Sequence, residues 1–104
     1  MSAPFESLDT VNLDAAGTAQ QITSTPTYAT SAFFECPIEN TSNMFLGGAN
    51  VDTGRAPIKP GRHVQYVDPD GVEFDLSTFY IDGVTTGDDM YVWFTRKPNR
   101  GDLS

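Results

Sequence analysis

One cysteine, one histidine and six basic residues against fourteen acidic ones are the scarcities of this 104-residue chain. With Cys36 alone, no disulfide forms within the chain, and the disulfide-stapled class is excluded. One His and one Cys also exclude a zinc site built on those ligands. No stretch approaches the roughly 18 apolar residues that a membrane-crossing helix needs. The start, Met-Ser-Ala-Pro-Phe-Glu, has no positive charge and no apolar run, so the expectation is a chain made in a cytoplasm without a secretion signal. Helical periodicity is nearly absent: no long window keeps apolar residues at i, i+3, i+4 and i+7.

The shortage of positive charge carries further. The net charge is −8 and the isoelectric point about 4.2. An acidic surface repels phosphate, so no nucleic-acid partner is expected, and none of the features of a membrane partner is present. The charge is unevenly distributed. Glu6, Asp9, Asp14, Glu35, Glu39 and Asp52 stand unopposed in residues 1–54, and the first basic side chain is Arg55.

Strand formers are abundant. Aromatics make up 12% of the chain, against the few that a disordered chain contains. Nine Gly and seven Pro punctuate the sequence throughout. Strands are expected at Leu8–Leu13, Ala19–Thr23 (polar, hence an edge), Tyr28–Cys36, Asn43–Leu46, Arg62–Val67, Phe74–Asp82 and Met90–Arg96, with Ala49–Asp52 continuing the fourth after a bulge. Turns are expected at Lys59-Pro60-Gly61, Asp68-Pro69-Asp70-Gly71, Asp82-Gly83 and Thr86-Gly87-Asp88-Asp89. Short strands at this spacing predict an all-β fold. It is expected to be one small β-sandwich, jelly-roll or immunoglobulin-like, or a small barrel, over residues 1–104 with flexible tails at 1–5 and 98–104.

Catalysis needs a nucleophile or an acid/base group with a partner, and no such constellation is visible. His63 falls on the strand face opposite Val64 and reads as solvent-facing or inter-subunit. Cys36 reads as a small buried hydrophobe. Asp68, Asp70, Glu73 and Asp75 alternate like part of a calcium loop. Their spacing departs from the EF-hand pattern, and a strand leaving a turn produces the same alternation, so no metal and no cofactor are expected. Gly47-Gly48 and Thr53-Gly54-Arg55 lack the following helix of a phosphate loop and read as turns or bulges.

The segment Met90-Tyr91-Val92-Trp93-Phe94-Thr95-Arg96 is apolar on both faces, with Tyr91 and Trp93 on one and Met90, Val92 and Phe94 on the other. In a small domain, one face then packs on the core and the other forms an interface. Arg55, Lys59 and Arg62 are the first basic cluster after the acidic half. They read as a solvated loop or as a cationic contact to the acidic half of a second copy, arranged head to tail. The candidate interface is therefore Arg55, Lys59, Arg62, Tyr91 and Trp93. A second class of function is a carbohydrate platform on Tyr91, Trp93, Tyr66, Tyr80 and Phe79, since flat rings stack on sugar faces.

The second half also resembles a known family. Ile58-x-Pro60-Gly61 is followed by a strand, then by Phe74-Asp75-Leu76-Ser77-x-x-Tyr80-Ile81-Asp82-Gly83, then by Gly87-Asp88-Asp89-Met90-Tyr91-Val92. This order is similar to the C-terminal half of small virion structural proteins of tailed bacteriophages. The match covers about half the chain and consists of turn and strand residues. It implies a non-enzymatic capsid decoration (cement) protein, or a head or tail accessory protein. Such a protein is made in the host cytoplasm, sits on the capsid surface, and binds the major capsid protein or another virion protein as a homo-oligomer, with a trimer favoured. The alternative is a carbohydrate-binding module of a phage tail or surface assembly.

Overall fold

Residues 6–8, 10–54, 56–68 and 70–96 are described by a computed structural model. The two expected tails and Arg55 lie outside the described residues. The fold is all-β. Among the described residues the strands are β1 (Glu6–Ser7), β2 (Val11–Asn12), β3 (Gln20–Gln21), β4 (Tyr28–Ala29), β5 (Ser31–Glu35), β6 (Met44–Gly47), β7 (Pro57–Ile58), β8 (His63–Val67), β9 (Phe74–Asp75), β10 (Tyr80–Gly83) and β11 (Asp89–Thr95). Every strand pairing is antiparallel.

A run of β-branched and aromatic residues makes β11 the longest strand, and its even-numbered residues Met90, Val92 and Phe94 are buried. It is central to the first sheet, ordered β1-β11-β5-β8, with β2 pairing along the same edge of β11 as β1. Of the expected Leu8–Leu13 strand only Val11–Asn12 is strand among the described residues, and a second short piece, Glu6–Ser7, precedes it against the same strand. The second sheet is ordered β3-β10-β6-β7, and β4 with β9 forms a two-stranded ribbon. The expected edge role of Ala19–Thr23 holds, because β3 closes one side of the second sheet.

The core joins the sheets into a small β-sandwich. Val92, Phe94, Ala32 and Phe34 from the first sheet form one buried cluster with Met44, Ile58 and Ile81 from the second and with Ala29 and Leu76 at the ribbon. Phe34 stacks on Phe79 at 5.4 Å between centroids. Cys36 is fully buried, as expected of a core thiol.

Several local expectations are corrected. Tyr28–Cys36 is not one strand: at Thr30 the chain passes from the ribbon to the first sheet, held by Thr30 N donating to Thr95 O at 2.8 Å and by hydroxyl contacts among Thr30, Ser31 and Thr95. Phe74–Asp82 is broken by a turn of 3₁₀ helix at Leu76–Thr78. The Asp75 side chain caps it by accepting from Ser77 N, and this local bond competes with continued pairing. Ala49–Asp52 is no strand; Val51 folds back over Gly47, where a Cβ would lie 3.1 Å from it. Pro57–Ile58 pairs at the edge of the second sheet, where a proline is tolerated. Asp82-Gly83 is not a turn but the buried end of β10.

The remaining turns form where expected. Arg62 N donates to Lys59 O, Gly71 N to Asp68 O, and Asp88 N to Thr85 O. Gly61 and Gly87 take φ of +85° and +95°, the left-handed region that a glycine enters without steric cost. The Asp88 carboxylate accepts from Thr41 N and Ser42 N, and the Asn40 amide bonds both backbone groups of Asp89. These bonds fasten the loop after β5 to the start of β11.

Candidate functional site

The candidate site is the outer face of the first sheet. Strand pairing places side chains in rows across it, since successive residues of a strand point to opposite faces. One row runs Tyr91, Glu35, His63; the next Ser7, Trp93, Phe33, Gln65; the third Thr95, Ser31, Val67. Trp93 and Phe33 stack across β11 and β5 with centroids 5.7 Å apart and planes 16° from parallel. Such a pair contributes about 0.5–1.5 kcal/mol beyond its buried area. The His63 ring lies 6.3 Å from Phe33. Trp93 is half-buried by these neighbours, whereas Tyr91 is 40% exposed and Val67 51%.

Sequence reasoning placed Tyr91 and Trp93 on one face and the core residues on the other, and the structure has that arrangement. His63 is exposed on the face opposite Val64, also as expected. Phe33 was not singled out by the sequence beyond its place in the expected strand Tyr28–Cys36. Its neighbour in sequence, Phe34, is the core residue, while Phe33 completes the surface stack. The signal is the two-residue period: in Phe33-Phe34 only one ring can face inward.

Lys59 and Arg62 are exposed in the connection leading into β8. Arg62 sits level with Cys36, whose N–H donates to Arg62 O at 2.9 Å. This is the end of the sheet where the Tyr91, Glu35, His63 row lies. Lys59 and Arg62 therefore stand at that end of the sheet and do not line the aromatic face; by strand alternation Arg62 falls on the side of Val64 and Cys36.

The wider aromatic platform is divided. Tyr66 belongs to the inner face and meets Phe74 and Phe79 edge-on, at 4.7 and 5.5 Å. Tyr80 lies on the second sheet. One face of the Trp93 ring is engaged by Phe33. The five rings named in the sequence thus form no single flat surface.

The acidic groups are occupied locally. Asp68 Oδ2 accepts from Asp70 N and Val72 N, and Asp75 Oδ1 accepts from Thr27 N and Ser77 N. The bonds from Ser77 N and then Thr27 N hold the Asp75 carboxyl below its ordinary value. Among the described residues, no three His, Cys, Asp or Glu side chains gather as a metal-holding group. Burial pushes the Cys36 thiol up, partly offset by the bond from the Asn40 amide at 3.2 Å. Cys36 points into the core and His63 away from it, so the thiol and the imidazole lie on opposite faces of one sheet.

What this surface offers is a mixed face, with Tyr91, Trp93, Phe33 and Val67 set among polar side chains, suited to contact with another macromolecule. No protein-family model, no curated protein and no solved structure matches the chain.

Proposed function

We propose that this chain is a non-enzymatic virion structural protein that decorates the outer surface of a capsid, with the outer face of the first sheet as its contact surface. The observation that carries the reading is the exposed Tyr91 ring beside the half-buried Trp93–Phe33 stack, on a sheet whose other face is the core. The order of turns and strands in the second half, similar to that of tailed-phage virion proteins, supports the capsid as partner. A shell presents many identical sites, so modest contacts per copy, multiplied by self-association, add up to stable coverage. Lys59 and Arg62, exposed at one end of that sheet, add local positive charge to a protein of net negative charge and favour an acidic group on the partner.

The test is co-sedimentation of purified protein with capsids from a genome in which this coding sequence is deleted. Saturable binding is expected. Tyr91→Ala is expected to weaken it about 30-fold, as for a central interface aromatic, while changing stability by less than about 0.5 kcal/mol. Folded protein that does not bind these capsids refutes the reading. If the same protein binds glycans on an array through Tyr91 instead, the carbohydrate-binding alternative replaces it. That alternative rests on the exposed Tyr91 ring and is weakened by the engagement of the Trp93 face with Phe33.

A further inference from the structure

Strand β8 ends the first sheet. It pairs with β5 on one side, all five of its residues are exposed, and among the described residues no backbone bond is made on its other side. The direction of its free groups follows from the ladder. In an antiparallel pair, hydrogen-bonded and non-hydrogen-bonded positions alternate. Cys36 N donates to Arg62 O, so the Arg62 carbonyl and the backbone groups of Val64 and Tyr66 face β5, while Arg62 N closes the preceding turn by donating to Lys59 O. His63, Gln65 and Val67 therefore direct theirs to the open edge. The other side of the sheet agrees: Leu8 N donates to Val92 O, which leaves Trp93 bonded to Phe33.

The open edge is complementary to itself. Turned antiparallel about Gln65, a second β8 places Gln65 opposite Gln65 of the partner subunit and His63 opposite the partner's Val67, in three positions that exchange main-chain bonds on both sides. On the inner face Val64, 40% exposed, meets the partner's Tyr66, 38% exposed. At each end Arg62 meets the partner's Asp68. Asp68 keeps its turn bonds through Oδ2 and presents its second oxygen to the guanidinium. Shifting the register by two residues loses both the charge pairing and part of the ladder. Pro60 precedes the strand and the Asp68 turn follows it, which limits the paired length.

We propose that β8 is a self-association edge, joining two copies through an isologous antiparallel pairing centred on Gln65. A two-fold axis then takes the place of the threefold expected from the sequence. The paired chains share one continuous sheet, and their outer faces lie side by side, doubling the patch that bears Tyr91 and Trp93. The interface is small, so the dimer forms at high local concentration, as on a surface that already holds both copies. It stands on the geometry of β8 and is independent of what the outer face binds.

Light scattering of the full chain over a concentration series is expected to rise from 11.3 kDa toward twice that mass. Gln65→Cys brings two thiols together at the axis, with Cα atoms at the ~5.5 Å of a hydrogen-bonded pair, within disulfide reach. Mild oxidation is expected to give a covalent dimer, whereas Val64→Cys alone, two residues out of register with itself, is not. Buried Cys36 does not compete. Gln65→Pro removes an edge N–H while keeping the β5 ladder, and is expected to weaken self-association about tenfold or more, with circular dichroism confirming the fold. Arg62→Asp sets two acids against each other at both ends and weakens it as well. A monomer at every concentration without cross-linking through Gln65→Cys, a trimer mass, or equal self-association of a folded Gln65→Pro variant would overturn the proposal.

Discussion

Gly83→Ala tests the packing of the two ends of the chain against each other. Gly83 ends β10 opposite Met44 and is buried. A Cβ there would lie 2.8 Å from Leu13 Cδ2, 3.0 Å from Met44 Sδ and 3.6 Å from Asn43 O. Leu13 and Met44 are themselves fully buried, so they have no free volume to move into. Overpacking of this kind costs about 1–3 kcal/mol. Against it stands the gain of about 0.4–1 kcal/mol from the lower freedom of alanine in the unfolded chain, since Gly83 has no positive φ. The clash wins, and the net loss is about 1–2 kcal/mol, which lowers the melting temperature by roughly 4–16 °C in a chain of this size. Unfolding followed by the fluorescence of Trp93, the single tryptophan, reads it directly. Gly48→Ala is the matched control: its Cβ would meet only Asn50 Oδ1, at 3.9 Å, and a change within about 0.5 kcal/mol is expected. If Gly83→Ala is as harmless as Gly48→Ala, Leu13 does not lie where the structure has it.

Three further outcomes are expected. Phe34→Ala empties a fully buried site and removes the stack on Phe79, costing about 3–5 kcal/mol in a denaturant titration. Such a loss is a large part of a small domain's margin, and an effect under about 1 kcal/mol would contradict the core assignment. Cys36 is buried with its thiol value raised, so a thiol reagent near neutral pH is expected to react slowly with the native protein and fast in denaturant; rapid native labelling would refute this. Asp75 has its carboxyl value lowered on folding, so its contribution to stability is complete above the ordinary value of 3.8 and lost as pH falls through the lowered one. Chemical denaturation across that acid range should show a steeper loss of stability in wild type than in Asp75→Asn, which still accepts from Ser77 and Thr27 but does not titrate.

Local pattern made the two-faced strand legible. In Met90 to Thr95, side-chain period alone decides that Met90, Val92 and Phe94 share a face, whatever packs there. The turns at Gly61, Gly71 and Gly87 were legible for a similar reason, because φ is set residue by residue. Boundaries were less so. The Phe74–Asp82 run looks continuous until Asp75 accepts from Ser77 N and Thr27 N, and the second of those partners comes from a distant segment. Asp82-Gly83 has the composition of a turn. It is a strand end because Asp82 accepts from Gly17 N at 2.9 Å, from a loop 65 residues away, and because Leu13 and Met44 close over Gly83.

The candidate surface divides along the same line. Tyr91 and Trp93 were identified from their own strand. Phe33 joined them only through the pairing of β5 with β11, and Tyr66 left them only through the pairing of β5 with β8. The sequence by itself determined which residues favour strands, where the chain turns, the excess of negative charge, and the two faces of the last strand; all of these are short-range properties of neighbouring residues. Tertiary structure alone decided the strand order, the free edge at β8 and the Trp93–Phe33 stack, because each depends on which distant segments pair and in what register.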